Sequence, residues 1–367
     1  MPQQKESEAE PSPASVAAAA AAVPVFSDTA QAELAVRMGH GKRDGAAVRL
    51  VQGDYLVGLY ERGEPMRPRQ ELPEAAFYDG PLGAGSGVHL IAVSYPWLSK
   101  RHPDPDRFHL NTLAPLLKAY ARVRNKPVVF LDFLCLFQGE RTSAQAELFK
   151  QGLRAINVIY GQQHVIVWCL TRVPRHVDVD YFGRGWCTFE LTIASVLKVS
   201  SDLLDMGQLK VAPSAVTDWQ GQVEFVCTAG RRAPLTPGAF GAVLATKHFT
   251  NGKTDHELVV GLYADFVREA LGGATALDFG SLEWGDAEAM QLAEVLPLCT
   301  SLKSLSLNSN DITDAGVRAL AERLPSGLEE LDLSNNEIEA PGAQAVGALL
   351  SKSHALREMK LDHNPIG

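Results

Sequence analysis

The residue types that could do chemistry centre on one stretch, Arg184-Gly185-Trp186-Cys187-Thr188-Phe189-Glu190-Leu191, a turn breaking into a helix that carries a single carboxylate. Glu190 is its chemically able group, and the chemistry it offers is that of a carboxylate set beside developing positive charge. A plainer reading stands next to it. An acidic residue in the first turn of a helix is favoured by the helix dipole and by free backbone donors. With Phe189, Ile193 and Val196 as the buried stripe, Glu190 lies about 100° round, at the stripe's border. That position suits a cleft and a solvated edge equally. Trp186 could be core, and Asp132 could cap a loop at a strand end.

Other chemistries find little support. Cys135, Cys169, Cys187, Cys227 and Cys299 are an odd number in apolar surroundings, the pattern of reduced, buried thiols in an intracellular protein. No CxxC pair, HExxH helix or GxxxxGK[ST] loop occurs, so neither a metal site nor a phosphate-binding loop of that kind is expected. The formal charge of -9 without a basic stripe argues against nucleic acid and anionic membrane as partners. No run approaches the roughly 18 apolar residues of a membrane span, and a cytoplasmic protein is expected.

The elements that must position Glu190 begin at residue 88. A buried strand at 89–93 ends in Ser94-Tyr95-Pro96-Trp97, and a helix follows from about Thr112, with Asn111 as its cap and Pro115 in its first turn. The run 127–136 reads as a second buried strand interrupted by Asp132, then a helix over 144–160, a third strand over 165–170 and the Glu190 helix to about 199. Such alternation predicts a parallel sheet wound on both faces. Ligands bind outside the carboxyl ends of such strands. Ser94, Tyr95, Trp97, Asp132, Gln138 and Glu190 all fall on that edge.

Outside this unit, residues 1–24 read as a disordered Ala/Pro-rich tail and 25–87 as a poorly defined extension with a hairpin around Gln52-Gly53-Asp54. The α/β domain spans 88–253, with a strand expected at 222–227, and a connecting or capping helix spans 254–273, opening on the capping-box spacing Thr254-Asp255-His256-Glu257. The tail repeats. Leu302, Leu305, Leu307, Asn310 and Ile312 recur as Leu328, Leu331, Leu333, Asn336 and Ile338, then as Leu356, Met359, Leu361, Asn364 and Ile366, after a degenerate copy from Ala274. This is the leucine-rich pattern LxxLxLxxNxI. It predicts an α/β leucine-rich-repeat solenoid of about 3.5 copies over 274–367, its C-terminal cap missing, with the asparagines bonding backbone along the stack. A protein partner on the repeat surface is the expected ligand.

Residues 89–199 resemble the Toll/interleukin-receptor (TIR) fold and its relative, the heterokaryon-incompatibility (HET) domain. The resemblance rests on Ser94-Tyr95-Pro96-Trp97, on Phe130-Leu131-Asp132 with Cys135-Leu136 and Gln138, on Ile159-Tyr160, and on Trp186, Cys187, Glu190 and Leu191, which fall on a Trp-Cys-x-x-Glu-Leu turn. It implies a flavodoxin-like wound parallel sheet. It also implies cleavage of the nicotinamide–ribose bond of NAD by Glu190, through an oxocarbenium-like transition state. Ser94, Tyr95, Trp97, Asp132 and Trp186 would then line the dinucleotide site, with NAD a substrate rather than a tightly held cofactor. The first strand lacks the family's usual Phe-Ile-Ser-plus-acid pattern, and the loop after it carries a His-Pro-Asp-Pro insertion. Many domains of this type act by assembly alone, so the alternative is a non-enzymatic scaffold that self-associates through the front domain. Either way the layout resembles intracellular signalling or immunity-type proteins.

Overall fold

The computed structural model describes residues 45–82, 86–250, 252–350 and 355–366. The tail expected over 1–24 lies outside the described residues, as do residues 25–44. A five-stranded sheet forms the front of the molecule from β1 (Val51–Gln52), β2 (Val88–Ser94), β3 (Lys126–Phe130), β4 (Ile166–Cys169) and β5 (Leu203–Asp205), in the order β1-β3-β2-β4-β5. Strands β2 to β5 are parallel, and β1 joins β3 antiparallel with Val51 opposite Val129. Both faces of the central strands are covered. Ile91, Ala92, Val129, Phe130, Val167 and Trp168 are all fully buried, as expected of apolar runs without alternation.

The helices are α1 (Gly53–Arg62), α2 (Phe108–Tyr120), a single turn α3 (Asp132–Cys135), α4 (Ser143–Gly161) and α5 (Gly185–Leu197). Several depart from the sequence reading for identifiable reasons. The hairpin expected around Gln52-Gly53-Asp54 is instead a strand end followed by α1, whose buried Leu56 and Leu59 have helical spacing. The apolar run 127–136 divides. β3 ends at Phe130, and Asp132, whose carboxylate accepts the N–H of Phe133 at 2.7 Å, is the first residue of α3. Helix α2 starts at Phe108, before the expected cap Asn111, since the buried Asp104 accepts from the N–H groups of His109 (2.9 Å) and Leu110 (2.8 Å). Pro115 therefore sits inside the helix. Helix α4 is opened by a capping box between Thr142 and Gln145. The strand expected at 222–227 is helical, with Trp219, Val223 and Cys227 buried at intervals of four.

Two helices, α6 (Pro237–Leu244) and α7 (Lys253–Gly273), connect this sheet to a second one. The capping box expected at Thr254–Glu257 does not open α7. The helix starts at Lys253 with no side-chain cap, and Asp255 turns to Trp186 instead. The second sheet comprises β6 (Ala276–Asp278), β7 (Ser304–Ser306), β8 (Glu330–Asp332) and β9 (Glu358–Lys360), all parallel and in chain order, with α8 (Asp286–Val295), α9 (Asp314–Ala321) and α10 (Ala340–Leu350) between them. Leu277, Leu305, Leu331 and Met359 stand in register. The repeated asparagines tie the copies together as expected. Asn310 donates to Phe279 and Leu307 carbonyls (2.8 and 3.0 Å) and accepts from Leu282 and Trp284. Asn336 and Asn364 repeat the arrangement one copy on. Ser281, Ser309, Asn335 and His363 take the same left-handed conformation at the same point of each unit, so the periodicity reaches the backbone.

Candidate active site

At the carboxyl edge of the front sheet lies a cavity of about 570 Å³, in the range of small-molecule sites. Its floor comes from the residue after β2, from α3 and from α5, which deliver Tyr95, Asp132 and Glu190 respectively. Trp97, Phe133, Phe149 and Trp186 form aromatic walls.

Glu190 lies in the second turn of α5, and the first turn carries no acid. Free backbone donors therefore do not explain it, and the plain reading as a first-turn acid is corrected. It is buried, yet lines the cavity. Ser94 Oγ donates to its Oε2 at 2.6 Å. Because Ser94 gives its one proton to Glu190, the Tyr181 hydroxyl 2.7 Å away donates to Ser94. Burial pushes the Glu190 pKa well above the ordinary carboxylate value, the Ser94 bond opposes that, and the nearby Asp132 charge adds to it.

Asp132 is held more fully. Tyr95 OH donates to Oδ1 at 2.6 Å and Trp97 Nε1 to Oδ2 at 2.9 Å, while Gln138 donates to its backbone carbonyl at 3.0 Å. Burial raises its pKa, and the bonds from Tyr95, Trp97 and the Phe133 N–H pull the other way. With Tyr95, Trp97 and its own loop as partners, Asp132 acts as the organiser of the cavity floor, whereas Glu190 Oε1 has no hydrogen-bond partner among the described residues.

Of the residues singled out from sequence, Tyr95, Trp97, Asp132, Trp186 and Glu190 line this one cavity, together with Gln138. Ser94 is fully buried behind Glu190 and reaches the cavity only through it. Sequence reasoning missed Tyr181, whose loop carries no pattern marking it. It also missed Asp255, which reads as a capping residue but accepts from Trp186 Nε1 at 3.1 Å. Lys100, Arg101, Arg141, Arg184 and His248 also line it. Cys187 borders the cavity too, but burial holds its thiol far above its ordinary pKa, leaving it a poor nucleophile.

Comparison with known proteins bears on the other end of the chain. The family model described as Leucine Rich repeat matches residues 298–321 and 328–347. These segments hold the two complete copies of the repeat, and the protein thus carries leucine-rich repeats at its C-terminal end. The relatives are, in human, NACHT, LRR and PYD domains-containing protein 5, 33% identical over 81 residues, and in mouse, Ribonuclease inhibitor, 37% identical over 79 residues. Each match covers 21% of this chain, and the chain spans 7% and 17% of the respective relatives. Among the described residues no helix is long and apolar enough to cross a membrane.

Proposed function

We propose that the front of this protein is a TIR/HET-like, flavodoxin-like domain that hydrolyses NAD at the nicotinamide–ribose bond, and that its repeats form a solenoid that binds a protein partner. The observation that carries the reading is the placement of Glu190 and Asp132 together in one aromatic-walled cavity at the carboxyl edge of the sheet. The order β3-β2-β4-β5 of the parallel strands supports the flavodoxin-like assignment, since β2, the first of the parallel strands in sequence, lies inside the sheet and the chain reverses there. Ionised Glu190 would hold the ribose hydroxyls and stabilise the positive charge that grows as nicotinamide leaves. The name of the ribonuclease inhibitor relative supports a protein ligand for the repeats. Five free, buried cysteines fit a signalling or immunity-type protein of the cytoplasm.

The test is nicotinamide release from NAD by the purified protein, at high concentration or with a crowding agent to promote assembly. Release is expected from the wild type and loss of at least a hundredfold in kcat from Glu190→Ala. No release under any assembly condition sinks the reading, and release that persists in the variant sinks the residue assignment.

A second reading, a self-associating scaffold without turnover, is favoured by Phe225 and Val123. These stand 86% and 56% exposed, and each is the chain neighbour of one member of the Arg124–Glu224 ion pair. Light scattering against concentration would show oligomers that Phe225→Ser reduces, whether or not NAD is cleaved.

A further inference from the structure

The loop between β2 and α2 is a built structure. Leu98 N–H donates to Pro103 O at 2.9 Å, and Ser99 and His102 close a turn through bonds of 2.7 to 3.2 Å. His102 anchors that turn, donating from Nε2 to Met66 O at 3.0 Å and packing edge-on to Phe133. The two residues inside the turn are Lys100 and Arg101, both exposed and both lining the cavity mouth. Arg141 borders the same cavity, half-buried, its guanidinium 3.6 Å from the Phe149 ring centroid and its Nε bonded to Phe137 O. Arg184, at the start of α5, is the fourth cation, its Nε bonded to Val179 O at 3.3 Å.

Among the described residues none of these four makes an ion pair, although Arg49, Arg62, Lys118 and Arg124 elsewhere on the molecule each do. In a chain of net charge -9, acidic partners are plentiful. Three carboxylates line the same cavity, but Asp132 accepts from Tyr95 and Trp97, Asp255 accepts from Trp186, and Glu190 lies buried beside Ser94. None is ion-paired to these four cations, which together favour an anion at the opening. Two of the three guanidinium groups are oriented through Nε to backbone carbonyls, which leaves their terminal nitrogens to form the fork that matches phosphate oxygens. At about 570 Å³ the cavity has the size for one small molecule rather than a polymer, and its walls are aromatic.

We infer that Lys100, Arg101, Arg141 and Arg184 form an anion-binding rim that takes the diphosphate of a nucleoside diphosphate, with the uncharged end of the ligand among the aromatic walls. The inference rests on the reading of this cavity as a nucleotide site, but it needs no bond cleavage. The loop after β2, which departs from the TIR pattern, is then the segment that supplies half of the rim.

Isothermal titration of the full chain with ADP and with adenosine tests it, because the two differ only in the diphosphate. ADP is expected to bind at least tenfold more tightly than adenosine, with an affinity that falls as salt rises. The double variant Lys100→Ala/Arg101→Ala, made at exposed positions and checked for folding by circular dichroism, should lose at least fivefold in ADP affinity with adenosine binding unchanged. Arg141→Ala should act in the same direction. Equal affinity for ADP and adenosine, no ADP binding, or a folded double variant that binds ADP like the wild type would each overturn the inference. The outcomes separate from those of NAD cleavage: a preference for ADP without nicotinamide release keeps the rim and removes the enzyme, while release with KM unchanged in the double variant removes the rim and keeps the enzyme.

Discussion

Glu190 meets one hydroxyl, that of Ser94, and the forces that move its pKa are burial, that hydroxyl and the Asp132 charge. Its proton is therefore held above the ordinary carboxylate range, and a reaction that needs the anion should show an acidic limb in kcat/KM displaced upward from about pH 4.3. Ser94→Ala removes a donor to the ionised form, so the limb should move higher still. A limb that stays in place would show that another group is titrating. The same shift carries a stability consequence. Folded Glu190 binds its proton more tightly than the unfolded chain does, so its contribution favours the folded state at low pH and is lost as pH rises through the folded value. Glu190→Gln removes the titration. Thermal melts should find the variant gaining on the wild type as pH rises from about 4.3, the unfolded value, towards the raised folded one. Parallel Tm profiles across that range would argue that the carboxyl is not desolvated in solution.

At the scale of elements, the start of α5 decides where Glu190 points. Gly185 N–H donates to His248 O at 3.0 Å, and a Cβ on Gly185 would lie 2.0 Å from Phe249 Cζ. The ring occupies the space a side chain would need, so Gly185→Ala must displace either Phe249 or the first turn of the helix. A loss of about 1–3 kcal/mol in urea denaturation is expected. A second change, Phe249→Ala, should recover part of it, and strict additivity of the two would contradict direct contact. This element also marks what the sequence could reveal. The alternation of strands and helices over 88–199, the repeat period and the asparagine bonding were legible because each follows from local spacing. The carboxyl edge followed from the strand order of wound sheets. The hairpin expected at Gln52-Gly53-Asp54 was misread because residues 48–60 alternate well enough for two short strands, whereas Leu56 and Leu59, three apart, share a buried face only in a helix. The cap of α2 was missed because Asp104 works from outside the helix. The four cations at the cavity come from three separate segments, which no spacing rule brings together.

Across the whole molecule, α5 has Glu190 in its second turn and the repeat array at its far end. Arg231 makes that second junction. Its Nε and one terminal nitrogen donate to the carbonyls of Ser195 and Val196 at 2.9 Å each, carbonyls near the C-terminal end of α5, and its other nitrogen donates to Asp278 O at 2.8 Å, at the end of β6. Trp284, in the first repeat unit, returns a bond from Nε1 to Arg231 O at 3.0 Å. Burial lowers the Arg231 pKa to about 10, which still leaves it charged at neutral pH. One side chain thus satisfies helix-end acceptors that would otherwise lack partners and fastens them to the second sheet. The apolar core also runs unbroken from Val48 to Val346, so the two sheets should unfold together. Arg231→Met keeps the volume and removes three bonds to carbonyls. With roughly 1–3 kcal/mol for each buried acceptor left unpaired, a loss of about 3 kcal/mol or more is expected. Arg231→Lys, keeping charge but fewer donors, should fall between. Calorimetry should find one transition in the wild type and, in Arg231→Met, either a lowered Tm or a separate earlier transition as the repeats part from the front sheet. A single transition at the wild-type temperature would mean that the shared apolar core, not Arg231, holds the two sheets together.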